Sequence, residues 1–436
     1  MEKHLRSAAL PAPWYLSWTA RRTMSTQSAQ ARRSSPRWLF RPSWGHALLV
    51  GLALSSCTLL VPLDDLGGGS PPLSDASPDS RDAAPTGPAE PVVVTRSADD
   101  TSITVRVEGK FQIDFLESSS WQPARWFDLQ QPVIEDLVAG WPFLTSPCEI
   151  LKMGAGWFGA LEATDAWVDV IEETPGRAVV RATYEHDEDW GELQIQTDYT
   201  IYASGRVAAR AIITNIDLSD VLLNAIEMAH VNVSADLSWA ATALAGDRAF
   251  AFTRADGPPP ASNLLVLNTS PLSPLSSDNL TNRYWSIGEI YLLERESLTF
   301  TWELQVAPNG QDTLQLADRA GDVLDPGIAV VSGVTLVGTG YDPAQGAYTL
   351  TAPSVTSVFE LTAAEPRHHP AFVLSDWTSP TFNVMRGGVV LASSDAPIGP
   401  AAIGTLDPDA QTLVVVNLEE LPTSVSAADR TYTITP

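Results

Sequence analysis

The chain has 436 residues, with 26 Lys and Arg against 52 Asp and Glu, for a formal net charge of -26. Residues 1–57 hold eight of the basic side chains and one acid, so the remainder carries 18 basic and 51 acidic ones, with Lys110 and Lys152 its only lysines. That balance argues against nucleic acid and against an anionic membrane face as electrostatic partners, and against a polyanionic glycan unless a local arginine patch exists.

Near the amino terminus, Ala47 to Leu54 is an apolar run of eight residues. A bilayer-spanning helix needs about 20, whereas the apolar core of a signal peptide takes about 7–15. Arg32, Arg33, Arg37 and Arg41 precede the run, and no acid lies between Lys3 and Cys57. It ends in Leu54-Ser55-Ser56-Cys57, which resembles the lipobox of bacterial lipoproteins: an aliphatic residue and two small residues before a cysteine. The resemblance implies cleavage before Cys57, diacylation of its thiol and acylation of the new amino terminus. By the same resemblance Thr58, standing where an aspartate would retain the protein at the inner membrane, points to the outer membrane. Met24 would start a signal of more usual length, and the pairs Arg21-Arg22 and Arg32-Arg33 lack the rest of a twin-arginine motif. Residues 1–56 are therefore expected to be a signal peptide. Residues 57–91 are expected to form a lipidated linker, because Leu66 to Glu90 is rich in Gly, Pro, Ser, Ala and Asp and too poor in large apolar residues to offset the entropy of ordering. Cys148 is the one cysteine beyond Cys57, so no internal disulfide is available, and it is expected to be a small buried hydrophobe.

Structure is expected from about Val92. Ile103, Val105 and Val107 alternate with polar residues, Gly109-Lys110 turns the chain, and Phe111, Ile113 and Phe115 alternate again: a period-two hairpin. After an aromatic-rich stretch, Ala178 to Tyr184, Leu193 to Ile201 and Val207 to Thr214 read as strands, the last two joined at Ala203-Ser204-Gly205. Leu222 to Val233 is apolar and reads as strand or short helix, strand being the expectation; Tyr291 to Leu293 and Leu298 to Val306 continue the sheet, and helical periodicity is nearly absent. The hairpin around Tyr199-Thr200-Ile201-Tyr202-Ala203-Ser204-Gly205-Arg206-Val207 resembles the long hairpins of galactose-mutarotase-like β-supersandwich domains, a likeness that covers about 95–315. It implies a carbohydrate context but no particular activity. Gly, Asp and Pro cluster from Ala320 to Gly327, and short strands follow at Ile328 to Val337, Gly346 to Leu350, Val355 to Leu361, Val384 to Leu391, Thr412 to Leu418 and Thr431 to Thr435. The expected fold is all-β: a large antiparallel supersandwich-like domain over 92–320, then a small C-terminal β-sandwich over 321–436.

Four groups of residues are candidates for chemistry. Tryptophans 121, 126, 141, 157, 167 and 190 offer indole faces for sugar rings or bulk for a wide core. Of these, Trp121, Trp126, Trp157 and Trp190 are the expected ligand contacts. His186-Asp187-Glu188-Asp189 sets three acids beside a histidine but matches no metal loop, and a solvated hairpin tip is the expectation. Glu227 and His230 would share a helix face, yet point to opposite faces of the strand expected there. Arg367-His368-His369 before Pro370 reads as a surface loop. Esterase, zinc-protease, phosphate-loop and dinucleotide signatures are all missing. No catalytic residue, metal or cofactor is expected. The leading expectation is a lipid-anchored envelope protein, held to the membrane through Cys57, that binds a neutral glycan or another envelope protein without catalysis. The alternatives are a glycan lyase or hydrolase and a structural lipoprotein.

Overall fold

Alternation of buried and exposed side chains builds nearly every element of this chain. In the computed structural model the described residues are 89–130, 135–137, 145–189, 191–233, 239–246, 248–254, 263–270, 275–276, 282–307, 313–363, 369–419 and 426–436. The expected signal and Cys57 lie outside them. In the strand Ser102–Val107, Ile103, Val105 and Val107 are buried while their neighbours are half-exposed. Gly109, at a left-handed φ of 65°, turns it into Phe111–Leu116. These two strands lie in a five-stranded sheet with Val92–Arg96, Pro123–Asp128 and Glu135–Asp136.

The largest element is an antiparallel sheet of eight strands. Their spatial order is Trp239–Leu244, Ala249–Arg254, Asn263–Asn268, Ser297–Ala307, Arg206–Asn215, Gly191–Tyr202, Arg177–Glu188 and Asp165–Glu173. Its inward face packs on the N-terminal sheet and on a second five-stranded sheet that includes Thr145–Lys152 and Ala225–Asn232. One continuous core joins Val105 and Phe115, Tyr199 and Trp302, and Ile226 and Trp285. Trp302 stacks on Phe300 with ring centroids 5.5 Å apart and meets Tyr199 edge-on at 6.3 Å. Tyr199 donates its hydroxyl to Gln122 Oε1 at 2.7 Å, so its polar tip is satisfied inside the core. Burying each such side chain contributes about 1.5–3 kcal/mol.

Helical structure was not expected, yet Thr313–Leu324 is an α-helix. Leu316, Ala320 and Val323 are its buried stripe, at helical spacing, and they close over Ala249, Ala251, Leu265 and Leu267 on the outward face of the large sheet. The reason is local: the end of the sheet that carries those apolar side chains needs a cover.

The C-terminal lobe is a sandwich of two five-stranded sheets. The single strand expected over Ile328 to Val337 is two, Ile328–Ser332 and Thr335–Asp342, which belong to different sheets. Gly333 makes the break: it has φ 75°, and a Cβ there would lie 2.1 Å from the Thr356 carbonyl oxygen. Phe359, Phe372 and Tyr432 pack together at the centre, 4.6–5.8 Å between ring centroids.

The lobes meet at a buried ion pair. Arg206, just past the Ala203-Ser204-Gly205 turn, is 1% exposed and bonds Glu303 through Nε and Nη2 at 2.8 and 2.9 Å. Its remaining donors reach the C-terminal lobe, with Nη1 on the His369 carbonyl oxygen and Nη2 on the Gly346 carbonyl oxygen, both at 2.9 Å. Burial opposes the Arg206 charge, but Glu303 outweighs it and the guanidinium is held well above its ordinary value.

Candidate functional site

Register partners on adjacent strands project to the same face. On the outward face of the eight-stranded sheet, Asp169 pairs with Arg181, Arg181 with Asp198, Asp198 with Arg210, and Arg210 with Thr301. Thr269 follows, its hydroxyl donated to Thr301 Oγ1 at 2.9 Å. A continuous polar row thus crosses the sheet at right angles to the strands. A second row lies two residues along, with Trp167, Thr183, Gln196, Ile212 and Thr299 as successive partners.

The first row is cross-braced. Arg181 bonds both carboxylate oxygens of Asp198, through Nε at 2.6 Å and Nη2 at 3.1 Å, and Arg210 Nη2 adds a bond to Oδ2 at 2.6 Å. Asp198 is buried, while the two arginine side chains are 32% and 37% exposed. Burial pushes the Asp198 carboxyl up, but the bonds from Arg181 and Arg210 prevail and hold it below the usual carboxylate range. A guanidinium has five N–H donors. Among the described residues, these bonds leave donors on both arginines for a ligand. Trp167, on the edge strand two residues from Asp169, is 37% exposed and sets an indole at the outer end of the rows.

At its far end the row runs into a cavity of about 220 Å³. Thr269 and Arg248 line it from the sheet, Val323 and Leu324 from the end of the helix, and Tyr341 and Pro343 from the C-terminal lobe. Tyr341 is fixed from behind, its hydroxyl 3.3 Å from Arg206 Nη2 in the buried ion-pair network. Rows and cavity together form a strip across the sheet, here called the trough, with hydrogen-bond donors, acceptors and one flat aromatic surface. A larger cleft of about 290 Å³ lies on the outer face of the N-terminal sheet, between Val93, Thr95, Thr104 and Arg106. Its Arg106 is already paired to Glu108 at 2.7 Å in an exposed bridge, and no aromatic side chain lines it.

Among the described residues, the expected ligand contacts Trp121, Trp126 and Trp157 form no common exposed surface. Trp126 is fully buried and Trp121 is 7% exposed, both in the core beneath the N-terminal sheet. Trp157 is 44% exposed but stands on the edge strand Gly156–Phe158 of a different sheet. Trp190 lies outside the described residues. Of His186-Asp187-Glu188-Asp189, the acids run to the solvated end of the hairpin as expected, but His186 is fully buried, edge-on to Phe158 at 5.9 Å and Tyr184 at 5.5 Å. Glu227 and His230 fall on the strand Ala225–Asn232, and His369 enters the structure through its carbonyl oxygen on Arg206. Among the described residues, no group of three or more His, Cys, Asp or Glu is placed to hold a metal ion. The charged row itself was missed, although a signal for it existed. Asp198 and Arg210 are equidistant from Ser204, so the turn already identified there fixes them as partners.

No protein-family model and no curated protein matches the chain. Solved structures do. A polysaccharide lyase aligns over 80% of this chain and 46% of its own, at 10% identity and a TM-score of 0.32. A galactose mutarotase-like protein from Clostridium acetobutylicum aligns over 50% of this chain and 99% of its own, at 9% identity and a TM-score of 0.32. A heparan sulfate lyase from Pedobacter heparinus aligns over 63% of this chain and 40% of its own, at 10% identity and a TM-score of 0.33. The chain thus spans about half the length of the first of these structures. Identities of 9–10% and TM-scores of 0.32–0.33 leave function to be argued from the chain's own residues.

Proposed function

We propose that the protein is a non-catalytic glycan-binding module, held at the cell envelope by lipid on Cys57, and that it binds a neutral glycan along the trough of the eight-stranded sheet. The observation that carries this is the brace of Arg181 and Arg210 on Asp198 on the same sheet face as the exposed indole of Trp167 at the edge strand. Sugar hydroxyls need fixed donors and acceptors, and sugar C–H faces need an apolar plane; the trough has both in adjacent rows. The brace is pre-organised, so little ordering entropy is lost on binding. The row is also balanced, two arginines against Asp169 and Asp198, which suits a neutral ligand better than a polyanion.

Asp198 is not suited to general-acid work: such a group must hold a proton near neutral pH, and this carboxyl is held ionised by its arginines. The anchor is supported by the Leu54-Ser55-Ser56-Cys57 sequence and its basic flank. Among the described residues, no helix is long and apolar enough to cross a membrane.

The test uses the full chain carrying Cys57→Ala. That form is expected to leave the membrane fraction, and its retention there would contradict the lipid anchor. Screened on a glycan array, it should bind neutral glycans saturably and release no product on prolonged incubation. Cleavage would favour the lyase or hydrolase alternative, and binding to no glycan would overturn the proposal.

A further inference from the structure

The two ends of the trough differ. At one end the polar row stops at Asp169 and Trp167 on the edge strand Asp165–Glu173, where both side chains are exposed and no further strand pairs. At the other end it stops at Thr269, beyond which the sheet is roofed by the helix Thr313–Leu324. The cavity sits at that closed end, walled by the end of the helix and by the C-terminal lobe. From edge strand to Asn263–Asn268 is five inter-strand steps, roughly 24 Å. The closed wall is also stiff. Tyr341 is locked to the Arg206–Glu303 pair, and Arg206 is bonded in turn to the Gly346 and His369 carbonyl oxygens of the same lobe.

On the assumption that the trough binds glycan, the geometry points to recognition of a chain end. The terminal ring enters the cavity, where Arg248, Thr269 and Thr339 supply polar groups and Tyr341 and Pro343 an apolar wall. The following rings run out over Arg210, Asp198 and Arg181 and leave past Trp167. A strip open at both ends accepts the middle of a polymer lying along it; here the helix and the C-terminal lobe cover the far end, so a chain lying along the rows ends there. The ligand class is therefore the terminus of a linear, hydroxylated oligosaccharide, and a polymer offers one such site however long it is.

The experiment titrates the full chain carrying Cys57→Ala with maltohexaose, xylohexaose and galactohexaose, and with amylose, xylan and galactan in two size fractions each. End recognition predicts that at least one hexaose binds, and that its parent polymer saturates at the same number of proteins per chain in both fractions. Thr339→Trp changes an exposed residue of the cavity wall and would fill the cavity without touching a core. It should weaken the hexaose roughly tenfold or more, with the thermal midpoint unchanged. Saturation that grows with polymer length, or full affinity in Thr339→Trp, would overturn end recognition and leave glycan binding standing. Failure of every hexaose and polymer to bind would overturn both.

Discussion

Asp198 accepts from two arginines, and those bonds keep it charged inside the sheet. Its folded pKa lies below the ordinary value of 3.8, so the stability it contributes is present above that value and is lost as pH falls through the folded one. Asp198→Asn should cost about 1–2 kcal/mol at neutral pH, less than the several kcal/mol of a fully buried pair because both arginines are partly in water. Urea denaturation should show the gap between the two proteins closing as pH is taken below 3.8. His186 behaves in the opposite sense. Neither ring nitrogen has a hydrogen-bond partner among the described residues, and burial, only partly offset by Glu162, pushes the imidazole below its ordinary 6.5. Above that pH both folded and unfolded states are neutral there. Below it the unfolded chain takes a proton that the folded one resists, and stability falls by up to about 1.4 kcal/mol per pH unit. His186→Phe should flatten that decline, which denaturation midpoints at about pH 7.5 and about pH 5 would reveal.

At the scale of elements, the helix Thr313–Leu324 stands or falls with its apolar stripe. Leu316 is fully buried against the sheet, so Leu316→Ala should cost about 2–5 kcal/mol. Protease nicking near residue 313 should rise with it, although Arg319, buried and bonded to Gln305, still ties the helix to the sheet. The strands were the legible part of this chain: Ile103, Val105 and Val107 are buried as their alternation requires, and Leu298 to Val306 lines the core with Phe300, Trp302 and Leu304. The helix was hidden because three buried apolar residues, interrupted by the buried Arg319 and Asp322, make a faint pattern beside so many strands. The strand Ala371–Ser375 was hidden too: it pairs in parallel with Ala347–Thr351, and no local turn announces such a partner. The trough was illegible for another reason. Tryptophan and histidine stand out in a sequence by side chain alone, whereas Arg181, Asp198 and Arg210 acquire their meaning only once three strands are aligned. Trp167 could be told from Trp126 only by knowing which face of which strand each one occupies.

For the whole molecule, the Arg206–Glu303 pair makes the large sheet and the C-terminal lobe depend on each other. Arg206 is satisfied by one carboxylate and two backbone carbonyls from across the junction. Arg206→Met would leave Glu303 buried without its main charge partner and should cost about 3–5 kcal/mol. Unfolding in urea, followed by tryptophan emission, should then separate into two transitions where the parent protein shows one. Arg206→Met with Glu303→Leu removes both charges and should recover most of the loss. The cavity at the end of the trough lies on this same junction, so loosening the lobes should also weaken any ligand held there.

The measurement that bears most directly on the glycan-binding account is calorimetric titration of an array-positive neutral oligosaccharide into the full chain and three variants. Trp167→Ala and Arg210→Ala, both in the trough, should each weaken binding by roughly tenfold or more, about 1.4 kcal/mol, without a matching loss of thermal stability. Trp157→Ala, an exposed indole on a different sheet, should bind as the parent does. Equal affinity across all four proteins, or loss confined to Trp157→Ala, would contradict the account and place the ligand elsewhere on the molecule.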